Sequence, residues 1–151
     1  MTNTNPLIEI KNLKTKLGDQ WIHKDVNLSI NNGEIIGIVG ASGAGKTTLL
    51  REMLMLHHPT AGSIKIFNQE LTTASPETLL AVQRRWGVLF QQNALFSSLT
   101  VLENSTFVLK EHTNLDLHTM EELALLKIKA VGLPNDAAVK FPAELSGGMQ
   151  K

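Results

Sequence analysis

The stretch that decides the fold is Gly40-Ala-Ser-Gly-Ala-Gly-Lys-Thr47, which fits the pattern G-x-x-x-x-G-K-[ST]. It follows the apolar run Glu34–Val39, typical of a strand buried on both faces, and it opens a helix predicted over Lys46–Leu56. Glycines let a loop curl so that successive N–H groups converge on phosphate oxygens, and the helix N-terminus adds unpaired donors. The sequence therefore predicts a phosphate-binding loop, or P-loop, between a strand and a helix.

Each part of this loop has a predicted task. Lys46 would reach the β- and γ-phosphates as a point charge, the Thr47 hydroxyl would bind Mg²⁺, and Thr48 would reach the α-phosphate. The loop predicts the phosphates of a nucleotide with Mg²⁺ as its ligands, and the predicted nucleotide-binding residues here are Gly40, Ala41, Ser42, Gly43, Ala44, Gly45, Lys46, Thr47 and Thr48. A P-loop alone does not choose among kinases, GTPases and ATPases.

Strand patterns dominate the first part of the chain. Alternating apolar and polar residues predict half-buried strands over Leu7–Leu13 and Trp21–Ile30, joined by a turn at Gly18-Asp19. Gly62–Phe67 is a further short strand, and the apolar Trp86–Phe90 is a candidate for a buried one.

Helix signals dominate the second part. Ser75 followed by Pro76 predicts a helix start, and the capping-box spacing recurs at Thr100 to Glu103 and at Thr119 to Glu122. The expected fold is a mixed α/β core with a helical subdomain. The expected domains are residues 1–91, with the nucleotide-binding loop, and residues 92–151.

Composition excludes several classes of protein. The chain has 151 residues, with 14 Lys and Arg against 14 Asp and Glu, and this balance argues against binding nucleic acid through bulk positive charge. Cysteine is absent, which excludes disulfides and thiolate metal sites. No apolar run reaches the roughly 18 residues that a membrane-spanning helix needs.

A second motif narrows the choice among the families of P-loop proteins. Leu145-Ser-Gly-Gly-Met-Gln150 resembles the signature motif of ABC-type ATPases, L-S-G-G-Q, with Met149 in place of the usual glutamine. Phe90-Gln91 and the following segment resemble the Q-loop of that family, and Thr60–Ile64 matches the strand turn after its P-loop helix. The order and spacing of these motifs agree with the family from about Leu7 to Lys151.

The resemblance implies a mechanism and two protein partners. Two ATPase subunits would form a head-to-tail homodimer, in which ATP on one P-loop is covered by Ser146, Gly147 and Gly148 of the other chain. Gln91 would touch Mg²⁺ or the attacking water. Gln91 and Lys46 are the two predicted catalytic residues. The helical subdomain would dock on an integral-membrane permease, which implies a peripheral location at the cytoplasmic face of the inner membrane.

Three segments are similar to a subgroup, the ATPase subunits of Mla-type phospholipid transport systems of Gram-negative envelopes. They are Phe90–Phe96, Lys110–Asn114 and Glu144–Met149, the last because this subgroup also has Met after the second glycine. The expected function is therefore ATP-driven transport of phospholipid through a permease. The competing hypothesis within the family is the ATPase of an amino-acid-type importer.

The sequence departs from the family at the adenine site. Leu17 stands where an aromatic residue usually stacks on adenine, and the chain contains no tyrosine. Trp21 is an alternative stacking residue, but a partly buried strand aromatic is the favoured interpretation. His57-His58 looks like a metal-binding pair, but adjacent side chains point to different faces, so a solvated turn is favoured.

The residues that family members use for hydrolysis are the larger departure. A Walker B aspartate, a glutamate that activates water and a histidine that senses the γ-phosphate follow the signature motif in the family, and nothing before Lys151 supplies them. We expect an N-terminal fragment, truncated before the Walker B strand, of a subunit of roughly 250 residues. Made alone, it should be poorly stable and should not turn over ATP.

Two further hypotheses remain open. One is a truncated product that binds nucleotide or a permease without hydrolysing ATP. The other is a soluble ABC-type ATPase of DNA repair or translation, which the neutral charge and the lack of basic patches disfavour.

Overall fold

The computed structural model describes residues 5–151 and divides them into two compact units, with the boundary between Gly87 and Val88. The first unit carries a sheet and two helices, and the second is helical. The boundary lies four residues before the one expected from the sequence, which was drawn between residues 91 and 92.

The sheet of the first unit has four strands in the order β2-β1-β3-β4, and every neighbouring pair is antiparallel. The strands are β1 (Ile8–Leu17), β2 (Gln20–Ile30), β3 (Ala61–Ile66) and β4 (Gln69–Glu70). Three of them, β1, β2 and β3, correspond to strands predicted from the sequence, and the tight turn between β1 and β2 falls at Gly18-Asp19. The pleat exposes one set of side chains and buries the other, which is why the pattern of period two is visible in the sequence.

Two helices accompany this sheet. Helix α1 (Lys46–Met53) follows the P-loop, and α2 (Pro76–Gln83) begins as predicted, with the Ser75 hydroxyl accepting a hydrogen bond from the N–H of Thr78. Helix α1 ends at Met53, three residues before the predicted end at Leu56. The core that they share with the sheet consists of Ile10, Leu13, Leu49, Ile64, Ile66, Leu71 and Val82.

Two predicted strands are absent from the described residues. Glu34–Val39 has no regular secondary structure and pairs with no strand of residues 5–151, and Ile35 and Val39 are 101% and 92% exposed. Trp86–Phe90 is irregular, and its last three residues are exposed. Apolar runs of this kind need hydrogen-bonding neighbours and cover on both faces, and the described residues provide neither.

The second unit begins its regular structure with α3 (Val101–His112). The capping box predicted for it is present, because Thr100 and Glu103 exchange hydrogen bonds in both directions. Helix α4 (Leu117–Ala130) packs on α3 and buries Met120, Ala124 and Ile128. Its predicted cap was wrong: Asp116 caps the helix by accepting from the N–H of Thr119, so Thr119 lies within the first turn.

The chain reaches the signature segment through two 3₁₀ helices, Asn135–Val139 and Pro142–Glu144. The last element is α5 (Gly147–Gln150), capped by the Ser146 hydroxyl. Among residues 5–151, no helix combines the length and the apolar character that a bilayer crossing requires.

Candidate functional site

The P-loop connects the irregular segment Glu34–Val39 to the first turn of α1. Gly45 is the N-cap residue, with φ of 88°, and its carbonyl oxygen accepts the first helical hydrogen bond from the N–H of Leu49 at 2.8 Å. The N–H groups of Lys46, Thr47 and Thr48 therefore have no partner within the helix. They form the donor end of the helix, where its dipole favours an anion.

A cavity of about 250 Å³ lies at this helix end. Its lining is formed by Ile22, Ser42, Gly43, Ala44, Gly45, Lys46, Thr47 and Thr48. Seven of these eight residues are among those that the sequence motif singled out. The loop thus brings its backbone donors, its lysine and its two threonines around one concave surface.

Lys46 closes the loop on itself. Its ammonium group donates to the carbonyl oxygens of Gly40 and Ala41, at 2.7 and 2.8 Å. The loop is further tightened by a hydrogen bond of 3.2 Å from the N–H of Ala44 to the carbonyl of Ala41. Gly40 and Ala41 therefore hold the lysine, whereas the residues from Ser42 onward line the cavity.

Sequence reasoning missed two residues on the sheet side of the loop. Ile22 lines the cavity from β2, and the next residue, His23, places its Nε2 3.2 Å from the carbonyl oxygen of Gly45. A β-carbon added to Gly45 would lie 2.6 Å from both side chains. Position 45 thus requires glycine for two reasons, its positive φ and this close approach.

The other candidate residues belong to the second unit. Gln91 is exposed in a turn that the N–H of Asn93 closes onto the carbonyl of Phe90, at 3.0 Å. Ser146 caps α5, and Gly147 and Gly148 form its exposed first turn. The structure describes these residues within their own unit.

The segment between Gln91 and α3 is held by one asparagine. Asn104 accepts from the N–H of Phe96 at 2.9 Å, and its amide donates to the carbonyls of Phe96, Leu99 and Thr100. The ring of Phe96 also packs on that of Phe107, with centroids 4.7 Å apart. This segment is therefore a fixed part of the helical unit.

The helical unit also carries a groove of about 400 Å³, lined mainly by apolar side chains that include Leu95, Val101, Ile128 and Leu133. Such a lining offers few partners for phosphate oxygens, whereas the smaller cavity at the P-loop is lined by backbone donors, a lysine and hydroxyl groups.

The two candidates for adenine contact lie in the sheet. Leu17 ends β1 and is partly exposed, and Trp21 lies near the start of β2 with 45% of its surface exposed. Trp21 lines a small cavity with Lys14 and Lys24, which is separate from the lining of the P-loop cavity. In the part of the chain that the structure describes, no three His, Asp or Glu side chains gather in the manner of a metal site.

Known families and proteins match this chain over most of its length. A family model described as ABC transporter matches residues 23–151. The intermembrane phospholipid transport system ATP-binding protein MlaF of Haemophilus influenzae is 41% identical over 145 residues, which cover 96% of this chain and 54% of the relative. The methionine import ATP-binding protein MetN 2 of Bacillus cereus is 43% identical over 136 residues, covering 89% of this chain and 40% of the relative.

A solved structure agrees with the fold. The dimeric ATP-binding cassette MJ0796, in a post-hydrolysis state bound to ADP and Pi, superposes with a TM-score of 0.82 at 33% identity. The match covers 95% of this chain and 65% of the cassette. The chain thus spans about half the length of the curated relatives it matches and about two thirds of this cassette.

Proposed function

The chain belongs to the ABC transporter family, and from this premise we propose that it forms the ATP-binding part of a transporter ATPase, with Mg-ATP bound at its P-loop. One observation carries the proposal: the loop from Ser42 to Thr48 lines a single cavity at the donor end of α1. An anion of several charges matches this end of a helix, and the lysine of the loop adds a full positive charge.

In this proposal Lys46 binds the loop carbonyls before nucleotide arrives and binds the phosphates afterwards. Its ammonium group is held over the loop by the carbonyls of Gly40 and Ala41. Phosphate oxygens carry full charge and form stronger, charge-assisted hydrogen bonds than these carbonyls do, so the lysine would exchange partners when nucleotide binds. The same loop that binds the phosphates therefore keeps the lysine in reach before they arrive.

Mg²⁺ fits the donor set of the loop, because hard oxygen ligands suit this ion and Thr47 supplies a hydroxyl on the cavity wall. When bound, the ion neutralises phosphate charge. We assign Thr47 and Gln91 as its protein contacts on the resemblance to the family, and Lys46 with Gln91 as the residues that act on the reacting phosphate.

Two protein partners follow from the family. A second ATPase subunit would cover the nucleotide with Ser146, Gly147 and Gly148, and the dimeric state of the cassette MJ0796 supports this arrangement. The helical subdomain would dock on a membrane permease, and the subunit would then lie peripherally at the cytoplasmic face of the inner membrane.

We propose phospholipid as the cargo class, on the three segments shared with Mla-type ATPases and on the similarity to the phospholipid-transport protein of H. influenzae. Import of an amino acid such as methionine is the second candidate, favoured by the 43% identity with the methionine import protein of B. cereus. Reconstitution of the natural assembly in vesicles distinguishes them. ATP-dependent movement of a fluorescent phospholipid is expected, and ATP-dependent uptake of methionine alone would overturn the lipid assignment.

The nucleotide site is tested by Lys46→Ala in the full-length natural product that contains this chain. We expect ATP affinity, measured by calorimetry, to fall by about tenfold or more, because a charge-assisted contact is lost. Lys129→Ala is the matched control, since it removes the same charge from the exposed face of α4. Equal ATP affinities of the two variants would contradict binding at the P-loop.

A further inference from the structure

Three polar side chains are buried together behind the P-loop. Thr15 of β1 donates from its hydroxyl to Oε1 of Glu52 in α1 at 2.5 Å. His23 of β2 faces both, with Nδ1 3.0 Å from the Thr15 hydroxyl and 3.1 Å from Glu52 Oε2. Thr15 and Glu52 are 0% exposed and His23 is 6% exposed. Burying such groups lowers stability unless each finds hydrogen-bond partners.

The other nitrogen of His23 leaves this cluster and contacts the P-loop. Nε2 lies 3.2 Å from the carbonyl oxygen of Gly45. A carbonyl can only accept a hydrogen bond, so Nε2 carries the hydrogen and donates it. The histidine therefore bridges the buried cluster and the peptide that joins Gly45 to Lys46.

The cluster keeps the histidine in this state. Glu52 Oε2 has no hydrogen-bond partner among the other described residues, and it lies 3.1 Å from His23 Nδ1, so the carboxylate and this ring nitrogen face each other in the buried cluster. Glu52 and Thr15 thus set both the orientation of the ring and the nitrogen that donates.

The consequence for the P-loop follows from peptide geometry. The Gly45 carbonyl and the Lys46 N–H belong to one planar trans peptide and point in opposite directions. The carbonyl points along α1, where it accepts from both Leu49 and His23, so the Lys46 N–H points beyond the helix N-terminus. A second donor on the carbonyl also polarises this N–H and strengthens it as a phosphate donor.

We propose that His23, held by Thr15 and Glu52, is a positioning residue for the phosphate site, acting through the Gly45–Lys46 peptide. This role rests on the proposed function, because it presupposes that phosphate binds at the P-loop. It assigns a task to a buried polar cluster that the loop motif itself does not include.

Matched double variants of the full-length natural product test the role. Glu52→Leu removes the buried carboxylate, and in that background His23→Phe removes the donor to Gly45, whereas His23→Gln retains an amide N–H near the position of Nε2. We expect both pairs to unfold at similar temperatures. ATP affinity should fall about three- to tenfold with His23→Phe, the effect of one hydrogen bond, and should stay within about twofold with His23→Gln.

Equal ATP affinities of the two double variants would overturn the positioning role. The Lys46→Ala variant then shows whether the role of His23 alone has failed or phosphate binding at the P-loop as well. If Lys46→Ala still weakens ATP binding, the phosphate site stands and His23 is merely structural. If Lys46→Ala has no effect, both proposals fail. Should the His23→Phe pair not fold, ¹⁵N NMR of the wild-type protein decides: we expect a protonated Nε2 and a Lys46 amide resonance that shifts with ATP, and the absence of either overturns the role.

Discussion

Asn93 and Gln150, 57 positions apart, share a side-chain hydrogen bond in which Asn93 Nδ2 donates to Gln150 Oε1 at 3.0 Å. Gln150 in turn donates to the carbonyls of Pro142, at 2.8 Å, and Leu145, at 3.3 Å. The turn that carries Gln91 and the helix that carries the signature segment are thereby tied together within the helical unit. If one segment moves without the other, the hydrogen bond between Asn93 and Gln150 must break.

Removal of the Gln150 side chain should destabilise the helical unit. Gln150→Ala deletes the three hydrogen bonds at once, so that the Asn93 amide loses its acceptor and the Leu145 carbonyl loses the donor that Gln150 supplies. We therefore expect a loss of about 1–3 kcal/mol in the free energy of unfolding. Chemical denaturation measures it. Gln92→Ala, at an exposed position in the same turn as Gln91, is the control and should change stability by less than about 0.5 kcal/mol. Similar losses in both variants would contradict the role of this bond.

Two glycines of the P-loop should respond differently to alanine. Gly43 and Gly45 have φ of 81° and 88°, so alanine is strained at both. A β-carbon at position 43 meets no atom within 4 Å, whereas one at position 45 collides with Ile22 and His23. We expect Gly43→Ala to cost about 1–2 kcal/mol from strain alone, and Gly45→Ala to cost about 1–3 kcal/mol more because packed side chains must shift. Thermal unfolding of the two variants side by side checks the order, which equal losses would contradict.

The capping box of α3 makes a pH-dependent contribution. The Thr100 backbone N–H, and then its hydroxyl, donate to the Glu103 carboxylate and lower the pKa of that group below its ordinary value of 4.5. A lowered pKa favours the charged form in the folded state. The contribution is therefore fully present above pH 4.5 and is lost as the pH falls through the lowered pKa.

Thr100→Ala tests this cap. We expect a loss of about 1 kcal/mol in the free energy of unfolding at neutral pH. The pKa of Glu103, followed by ¹³C NMR, should rise toward its ordinary value but stay below it, because the backbone N–H at position 100 remains. Thr100→Ser keeps the hydroxyl and should leave both quantities nearly unchanged. An unaltered pKa in Thr100→Ala would show that the hydroxyl has no part in the shift.

Local signals in the sequence predicted most of the elements that surround the site. The P-loop, the Ser75 and Thr100 caps and the alternating strands each depend on residues close together in the chain, so their physical causes are readable there. Glu34–Val39 was predicted as a buried strand because its apolar character indicates burial. The partners that bury such a strand are a long-range property, and residues 5–151 leave it uncovered.

The polar cluster behind the P-loop also depends on contacts that local sequence signals do not predict. Thr15 and Leu13 share a face of β1, and Glu52 lies three residues after the buried Leu49 on α1. These spacings mark Thr15 and Glu52 as core-facing positions. No local rule connects them with His23, because the contact requires β1, β2 and α1 to be assembled.

The buried contact between His23 and Glu52 has an evolutionary consequence. An apolar pair of similar size would fill the same space, and such replacements of buried ion pairs are often neutral or stabilising. Yet each single substitution on the way leaves the other polar group buried without its partner, which is strongly destabilising. The two positions are therefore epistatic, and related sequences should carry either both polar residues or two apolar ones, with mixed pairs selected against.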